Sequence, residues 1–244
     1  MKLRCLLLLI GITFLTQTAR AAQMNYLYKA RLVQAAPGKV LDVIDFFKGS
    51  LTAYKDAGDE APLWMRHSQG DHWDFLILFP MKSYTDYYNP DRVTKRMRAL
   101  PAARAARLDD DSIAWQEDVF VYGPAVDDLR KAFASASFFH VEMFHSIAGK
   151  QSQLYKEREM ENAYLQALRR PENFIFTRDQ GAAWDLFTIG AYRDLKHFAE
   201  SADISEADQE AAARAAGFAG ANSIGPYLRT LISSHHDTLA VSIK

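Results

Sequence analysis

In the first half of this 244-residue chain, the pattern of apolar and polar positions predicts six elements in the order strand, helix, strand, strand, helix, strand. Residues 26–33 alternate between apolar and basic side chains, which is typical of a strand with one buried face. Residues 40–54 carry apolar side chains at helical spacing, and 62–68 and 73–79 predict two more strands. We expect Pro80 to end the third strand. A helical segment, 82–108, broken near Pro90 and Pro101, and a strand, 113–122, complete the unit.

The same order then occurs a second time. The segment from Gln69 to Asp74, with Gly70 and Trp73, matches Gln180 to Asp185, with Gly181 and Trp184, 111 residues later. Gly38-Lys39 and Gly149-Lys150 are related by the same offset. The second copy predicts strands at 138–145, 173–179, 184–189 and 238–243, with helices at 150–168 and between 192 and 233. We predict a ferredoxin-like unit at 22–124, a linking helix at 125–136 and a second ferredoxin-like unit at 137–244.

Each such unit covers one face of its sheet with helices and leaves the other open, so the two open faces can bury each other. With its duplicated βαββαβ order, its Gly-Lys helix starts and its two Gln-Gly-x-x-Trp-Asp segments, the chain resembles the dimeric α+β barrel superfamily in tandem form. The resemblance implies an α+β fold whose antiparallel sheets pack face to face in a pseudo-dimeric barrel. It also implies a ligand-sized space between the sheets. The superfamily includes cofactor-free monooxygenases, haem proteins and isomerases, so the resemblance implies no single reaction.

The first residues have the pattern of a signal peptide. Lys2 and Arg4 precede an apolar run, 6–15, and Ala19-Arg20-Ala21 has small residues where a signal peptidase cleaves. We therefore predict a signal peptide at 1–21 and a secreted or periplasmic protein. The mature chain would lack cysteine, and none of its apolar runs is long enough to span a membrane. Its mildly acidic balance argues against nucleic acid as a partner. We expect a small-molecule partner, and the pattern leaves the oligomeric state open.

Polar residues on the predicted first strands are the candidate site. Lys29 and Arg31 correspond by the repeat offset to His140 and Glu142, and we expect all four to face the space between the sheets. His140 is the candidate base, because its unperturbed pKa is near neutral, and Glu142 would hold it in position. Lys29 and Arg31 would bind an acidic or phenolic ligand. The alternative is a satisfied salt-bridge cluster, because buried charges must be paired in any case.

Other candidates have a stronger structural interpretation. Trp73 and Trp184 could stack on a flat ligand, but we favour the core for both. Trp115 and Glu117, on the fourth strand, are candidate ligand contacts. The repeat predicts cross-strand ion pairs, His67–Asp74 in the first copy and Arg178–Asp185 in the second.

Three further groups add little chemistry. His197 is a weak candidate for a haem ligand. The basic residues of the segment 92–107 predict a solvated helix face. His235-His236-Asp237 would lie on the surface before the last strand. The spacing of histidines and carboxylates predicts no metal site, and we expect no cofactor.

The sequence thus leaves several function classes open. The first is binding of a small organic ligand between the two sheets. The second is a cofactor-independent monooxygenase or isomerase that acts on a small aromatic or phenolic substrate, with His140 as its base. Haem binding through His197 is a weaker third. Neither the identity of the ligand nor the presence of catalysis follows from the residues.

Overall fold

The computed structural model describes residues 26–103, 110–181 and 184–243, so the predicted signal peptide lies outside the described residues. The first unit consists of strand β1 (Tyr26–Ala35), helix α1 (Val40–Asp56), strands β2 (Leu63–Gln69) and β3 (Phe75–Lys82), helices α2 (Tyr84–Tyr87) and α3 (Pro90–Ala103), and strand β4 (Ile113–Gly123). A short 3-10 turn, Asp110–Ser112, precedes β4. Helix α4 (Val126–Ser135) joins the two units.

The second unit repeats this order with more helical pieces. It consists of β5 (Phe138–Ser146), α5 (Gln151–Ala167), β6 (Phe174–Gln180), β7 (Leu186–Tyr192), α6 (Leu195–Ala199), α7 (Glu206–Ala215), α8 (Ile224–Arg229) and β8 (Ile232–Ser242). Two 3-10 turns, Glu200–Asp203 and Ala221–Ser223, interrupt its helical region. No helix among the described residues is long and apolar enough to cross a membrane.

The eight strands close into one antiparallel barrel in the order β1-β3-β2-β8-β5-β7-β6-β4. The two units meet at two seams, where β2 pairs with β8 and β4 pairs with β6. The predicted α+β fold with two facing antiparallel sheets is confirmed, and the edge strands of the sheets are also hydrogen-bonded to each other. Closure satisfies the backbone groups that an open sheet edge would expose.

The inside of the barrel is a packed apolar core. Inward side chains from both units form one continuous cluster, which includes Tyr28, Leu78, Phe139, Phe176 and Phe187. The outer face of the first sheet packs on α1 through Val33, Val43, Phe47 and Phe75, among others. The outer face of the second packs on α5 and α8 through a third cluster, with Phe144, Leu154 and Leu228 among its members.

The Gln-Gly turn of each repeat lies at a seam. Gly70 has φ +122°, and a Cβ there would lie 2.2 Å from the carbonyl oxygen of Asp237 on β8. Gly181 has φ +107°, and its Cβ would lie 3.1 Å from the Cα of Val119 on β4. Each of these positions therefore requires glycine for two reasons. The backbone is left-handed, and the opposite strand passes close by.

Two predicted strand boundaries are wrong. β3 continues through Pro80, since Pro80 lies opposite Tyr28 and the pairing of β3 with β2 reaches only to Leu78. Because β2 no longer pairs with β3 at Pro80, the missing amide hydrogen of the proline removes no hydrogen bond to β2. β8 begins at Ile232 rather than 238, because its polar first half pairs with β5 from Ser146 onward. His235, His236 and Asp237 therefore lie within a strand.

Candidate functional site

The four polar residues of the first strands do not face the space between the sheets. Lys29 and Arg31 alternate with Tyr28, Ala30 and Leu32, which fill the barrel, so the two cations face the helices. His140 and Glu142 alternate in the same way with inward residues of β5. β1 and β5 are also on opposite sides of the eight-stranded barrel. The prediction that these four side chains converge between the sheets is therefore wrong, because the apolar residues of β1 and β5, and not the polar ones, fill the barrel.

A cavity of about 570 Å³ lies instead between the first sheet and its helices. Half of its lining residues are aromatic: Phe46, Phe47, Tyr54, Phe79, Tyr87 and Tyr88. Its charged groups are Lys29 and Arg31 from β1 and Arg96 from α3. Ligand sites in proteins are commonly apolar cavities of this size with a few convergent polar groups.

Each of the three cations lies against an aromatic ring. Lys29 Nζ is 4.6 Å from the centre of the Phe79 ring, and Arg31 Cζ is 5.7 Å from the same centre. Arg96 Cζ is 3.6 Å from the centre of the Tyr87 ring. These contacts favour the charged forms of Lys29, Arg31 and Arg96 in a cavity wall that is otherwise largely apolar.

Two carboxylates hold these cations. Arg31 donates to both oxygens of Asp118, at 2.6 and 2.7 Å, and Lys29 Nζ lies 3.6 Å from the same carboxylate. Asp59, at the end of α1, accepts from Arg92. Arg96 Nη1 is 3.2 Å from Asp59 Oδ2, but outside hydrogen-bonding geometry, so it is a buried donor without an acceptor among the described residues. Four cations thus face two carboxylates, which leaves a positive excess at the cavity.

The pKa directions follow from these contacts. Burial and the neighbouring charge of Arg31 lower the pKa of Lys29, and Asp118 offsets this only in part. Burial alone would raise the pKa of Asp118, but the hydrogen bond from Arg31 and the charge of Lys29 hold it below its usual value. Burial also raises the pKa of the Tyr87 hydroxyl. Burial thus disfavours an isolated charge at this place, whereas direct contact with the cations stabilises a carboxylate.

Arg96 was missed at the level of sequence. The basic segment was predicted to form a solvated face, and Arg98 is indeed exposed, but Arg96 is buried. Arg92 and Arg96 are four residues apart, so both point from one face of α3 toward Asp59. The signal in the sequence was this spacing, together with Asp59 at the end of the preceding helix.

His140 and Glu142 lie in the corresponding place of the second unit. His140 Nε2 is 3.5 Å from Asp237 Oδ1, so the carboxylate beside the imidazole is Asp237 rather than the predicted Glu142. Glu142 Oε2 accepts from Thr188 Oγ1 at 3.1 Å and lies 3.6 Å from Arg158 Nη1. Burial would lower the pKa of His140, but the contact with Asp237 and the charge of Glu142 raise it above the usual value.

Both repeated tryptophans belong to the barrel core. Trp73 is fully buried and Trp184 is 3 % exposed, and both lie in the interior cluster, which supports the structural interpretation. Trp115 packs against the same cluster and lies 4.9 Å, ring centre to ring centre, from His72. Glu117 pairs with Leu32 across β1 and β4 and is partly buried. None of these four side chains lines the cavity beside α1.

The side chains of the two repeated aspartates, Asp74 and Asp185, accept hydrogen bonds from backbone amides. Asp74 Oδ2 accepts from the Ala35 amide at 2.8 Å, and Asp185 Oδ2 accepts from the Ser146 amide at 2.9 Å. The predicted ion pair between Arg178 and Asp185 is confirmed. Asp74 instead uses its carboxylate to close the end of β1, and only its backbone carbonyl accepts from the amide of His67.

One nitrogen of the His197 ring is hydrogen-bonded, and the other has an acidic neighbour. Nδ1 accepts from the Arg193 amide at 3.2 Å, and Nε2 lies 4.0 Å from Glu200 Oε2. The ring also contacts Tyr192, with the two centres 5.8 Å apart. Because Nδ1 accepts a hydrogen bond, the proton of the neutral ring lies on Nε2, and a protonated nitrogen does not bind iron, so the residues around His197 do not fit an axial haem ligand.

Comparison with known proteins shows the fold. An anthrone oxidase-like protein superposes with a TM-score of 0.53 at 9% identity, over 90% of this chain and 92% of that one. A proposed monooxygenase from Fusobacterium nucleatum superposes with a TM-score of 0.51 at 10% identity, over 91% and 94%. No family model and no curated protein matches the sequence. Both solved structures have the dimeric α+β barrel fold. The chain therefore has the fold of the dimeric α+β barrel proteins, in a tandem form in which one chain supplies both halves of the barrel.

Proposed function

We propose that this protein binds a small organic anion with an aromatic ring, in the cavity between β1, α1 and α3. The observation that carries the proposal is the combination of three cations with six aromatic side chains around a cavity of about 570 Å³. Arg96 is buried, and Lys29 and Arg31 are partly buried. A carboxylate or phenolate would offset the positive excess, and a ring would stack on the aromatic wall. The sequence predicts the same class of ligand, an acidic or phenolic compound, but places it between the two sheets. We propose that it binds beside the helices instead.

The test is a binding screen with aromatic carboxylates and phenols, followed by calorimetry on the best compound. Arg96→Gln should weaken binding at least about tenfold, because a charge-assisted hydrogen bond contributes about 1.5–3 kcal/mol. Arg98→Gln is the matched control, since Arg98 is an exposed residue of the same helix. Lys29→Met replaces a second cation with an apolar side chain of similar length. Arg31 still donates its hydrogen bonds to Asp118 in that variant.

The proposal fails if neutral aromatic compounds bind as tightly as the anions, or if Arg96→Gln and Arg98→Gln bind equally well. Circular dichroism must first show that both variants are folded.

A second candidate function is oxidation of a phenolic compound by O2 in the same cavity. Two proteins with this fold are described as an anthrone oxidase-like protein and a proposed monooxygenase. Lys29 supports this candidate, because its lowered pKa increases the population of the neutral amine. The neutral amine can act as a base that removes the proton of a phenol. Arg31 and Arg96 would then stabilise the phenolate.

An oxygen electrode separates the two functions. Oxygen uptake with a bound phenol, lost in Lys29→Met but not in Arg98→Gln, supports the oxidase. Tight binding without uptake leaves a binding protein. For the weaker haem alternative, a Soret band that appears on haem titration and disappears in His197→Ala would be needed.

We also propose that the protein acts outside the cytoplasm. The support is the basic, apolar and small-residue pattern of residues 1–21, which lie outside the described part of the chain. Mass spectrometry of the protein from the periplasm or medium should show an N-terminus at Ala22. A chain that stays in the cytoplasm with Met1 intact would contradict this.

A further inference from the structure

The second unit has a different chemistry at the place that corresponds to the cavity. By the repeat offset, Lys29 corresponds to His140, Arg31 to Glu142 and Phe47 to Arg158, and Ser50 corresponds to Glu161. The strand pairing gives one more correspondence that the offset does not show. Asp118 lies opposite Arg31, and Asp237 lies opposite Glu142. An aromatic, cationic wall in the first unit is thus replaced by imidazole and carboxylates in the second.

Three of these side chains have metal-ligating atoms close together. The ligand atoms of His140, Glu142 and Asp237 all lie within 4.8 Å of one another. Glu142 and Asp237 are directly opposite on β5 and β8, and His140 is two residues along β5 on the same face. Adjacent strands of a closed barrel hold such a set more rigidly than a loop would.

Each carboxylate is also fixed by a second partner. Asp237 Oδ2 lies 3.2 Å from His235 Nε2, while Oδ1 faces His140. Thr188 donates to Glu142 at 3.1 Å. Partners of this kind orient metal ligands in known sites.

The surroundings carry an excess of negative charge. Glu157 and Arg158 are both almost fully buried, and Arg158 forms a bidentate pair with Glu157, at 2.6 and 2.8 Å. The same guanidinium also contacts Glu161 and Glu142. One arginine therefore contacts three glutamates, although burial raises the pKa of Glu161, and Asp237 lies beside His140 and His235. A divalent cation would compensate carboxylates that share a single arginine.

We propose that His140, Glu142 and Asp237 bind one divalent cation of the first transition row, such as Zn²⁺ or Mn²⁺. One imidazole nitrogen with two carboxylates is a donor set that such ions accept, whereas Ca²⁺ requires six or more oxygen ligands. With ligands at about 2.0–2.2 Å from the ion, the donor atoms would be roughly 3–3.5 Å apart. His140 and Asp237 already have this separation.

Three protein ligands leave coordination positions open for water or a small ligand. The site lies on the opposite side of the barrel from the aromatic cavity, and the proposal does not rest on the function proposed for that cavity.

The experiment is a titration of the mature protein, freed of metal by EDTA and dialysis, with Zn²⁺ and separately with Ca²⁺. Calorimetry should show one equivalent of Zn²⁺, with at least about 100-fold weaker binding of Ca²⁺. His140→Ala and Asp237→Asn should each weaken Zn²⁺ binding about tenfold or more. His72→Ala is the control, because His72 is an exposed histidine beside another carboxylate, Asp71.

Asp237→Asn decides the outcome if His140→Ala does not fold, since Asp237 is about half exposed and its replacement leaves the core intact. The proposal is overturned if the protein takes up no Zn²⁺, or if neither variant changes the affinity. It is also overturned if His72→Ala removes the binding, which would place the ion at the surface histidines.

Discussion

At the scale of single residues, the same backbone position carries opposite chemistry in the two units. Arg31 and Glu142 occupy corresponding places on β1 and β5, and each faces an aspartate on the neighbouring strand. In the first unit that aspartate, Asp118, forms ion pairs with two cations, and it does so only while it is ionised. Asp118 is therefore the residue whose titration should be visible in the stability of the protein.

Asp118→Asn should lower the melting temperature at pH 7 by a few degrees, which for this length corresponds to about 1–2 kcal/mol. Its folded pKa lies below the usual 3.8, so the ionised carboxylate stabilises the fold above that pH. This stability is lost as the pH falls through the folded pKa. The difference between wild type and variant, followed by thermal denaturation from pH 7 to pH 3, should therefore shrink in acid. A difference that stays constant over this range would contradict the assignment.

At the scale of elements, the Gln-Gly turns between paired strands join the two units. Gly70 touches the backbone of β8, and Gly181 touches the backbone of β4. The repeated motif thus marks the two seams of the barrel. The same two strands, β4 and β8, carry Asp118 and Asp237, so each seam strand also contributes a carboxylate to its unit's helix-facing side.

Gly70→Ala should destabilise the protein by more than about 1 kcal/mol, because the added methyl group meets a backbone carbonyl 2.2 Å away in addition to the strain of a left-handed φ. Gly38→Ala is the matched control, since Gly38 has φ +81° and no atom within 4 Å of an added Cβ. The control should lose only the conformational part, about 1 kcal/mol. Urea denaturation of both variants measures the difference, and equal losses would show that the seam does not depend on the close contact.

At the scale of the whole molecule, one core and one closed ladder of hydrogen bonds unite two repeated units. The interior cluster contains residues of both units in contact, for example Tyr28 with Phe176 at 5.7 Å between ring centres. Neither half can leave the barrel without exposing this core and two strand edges. The two units should therefore unfold together.

Urea unfolding should show one transition. Three of the four tryptophans, at 64, 73 and 115, lie in the first unit, so fluorescence reports mainly on that half. Far-UV circular dichroism reports on both halves. Coincident midpoints are expected for the two signals. Separated midpoints would mean that the seams are weaker than their pairing indicates.

The repeat, the βαββαβ order and the face-to-face sheets could all be predicted from the sequence, because side-chain periodicity and glycine positions are local signals. It also identified Lys29, Arg31, His140 and Glu142 as unusual. Alternation along a strand divides residues between two faces, but it does not say which face meets the helices.

The packing of the helices on the sheets settles which face is which. The tertiary structure turns those four residues outward, brings Arg96 beside β1, and places Asp237 next to His140 across nearly a hundred residues of chain. Such contacts depend on strand pairing and on which helix covers which sheet, and neither is encoded in the neighbourhood of any single residue.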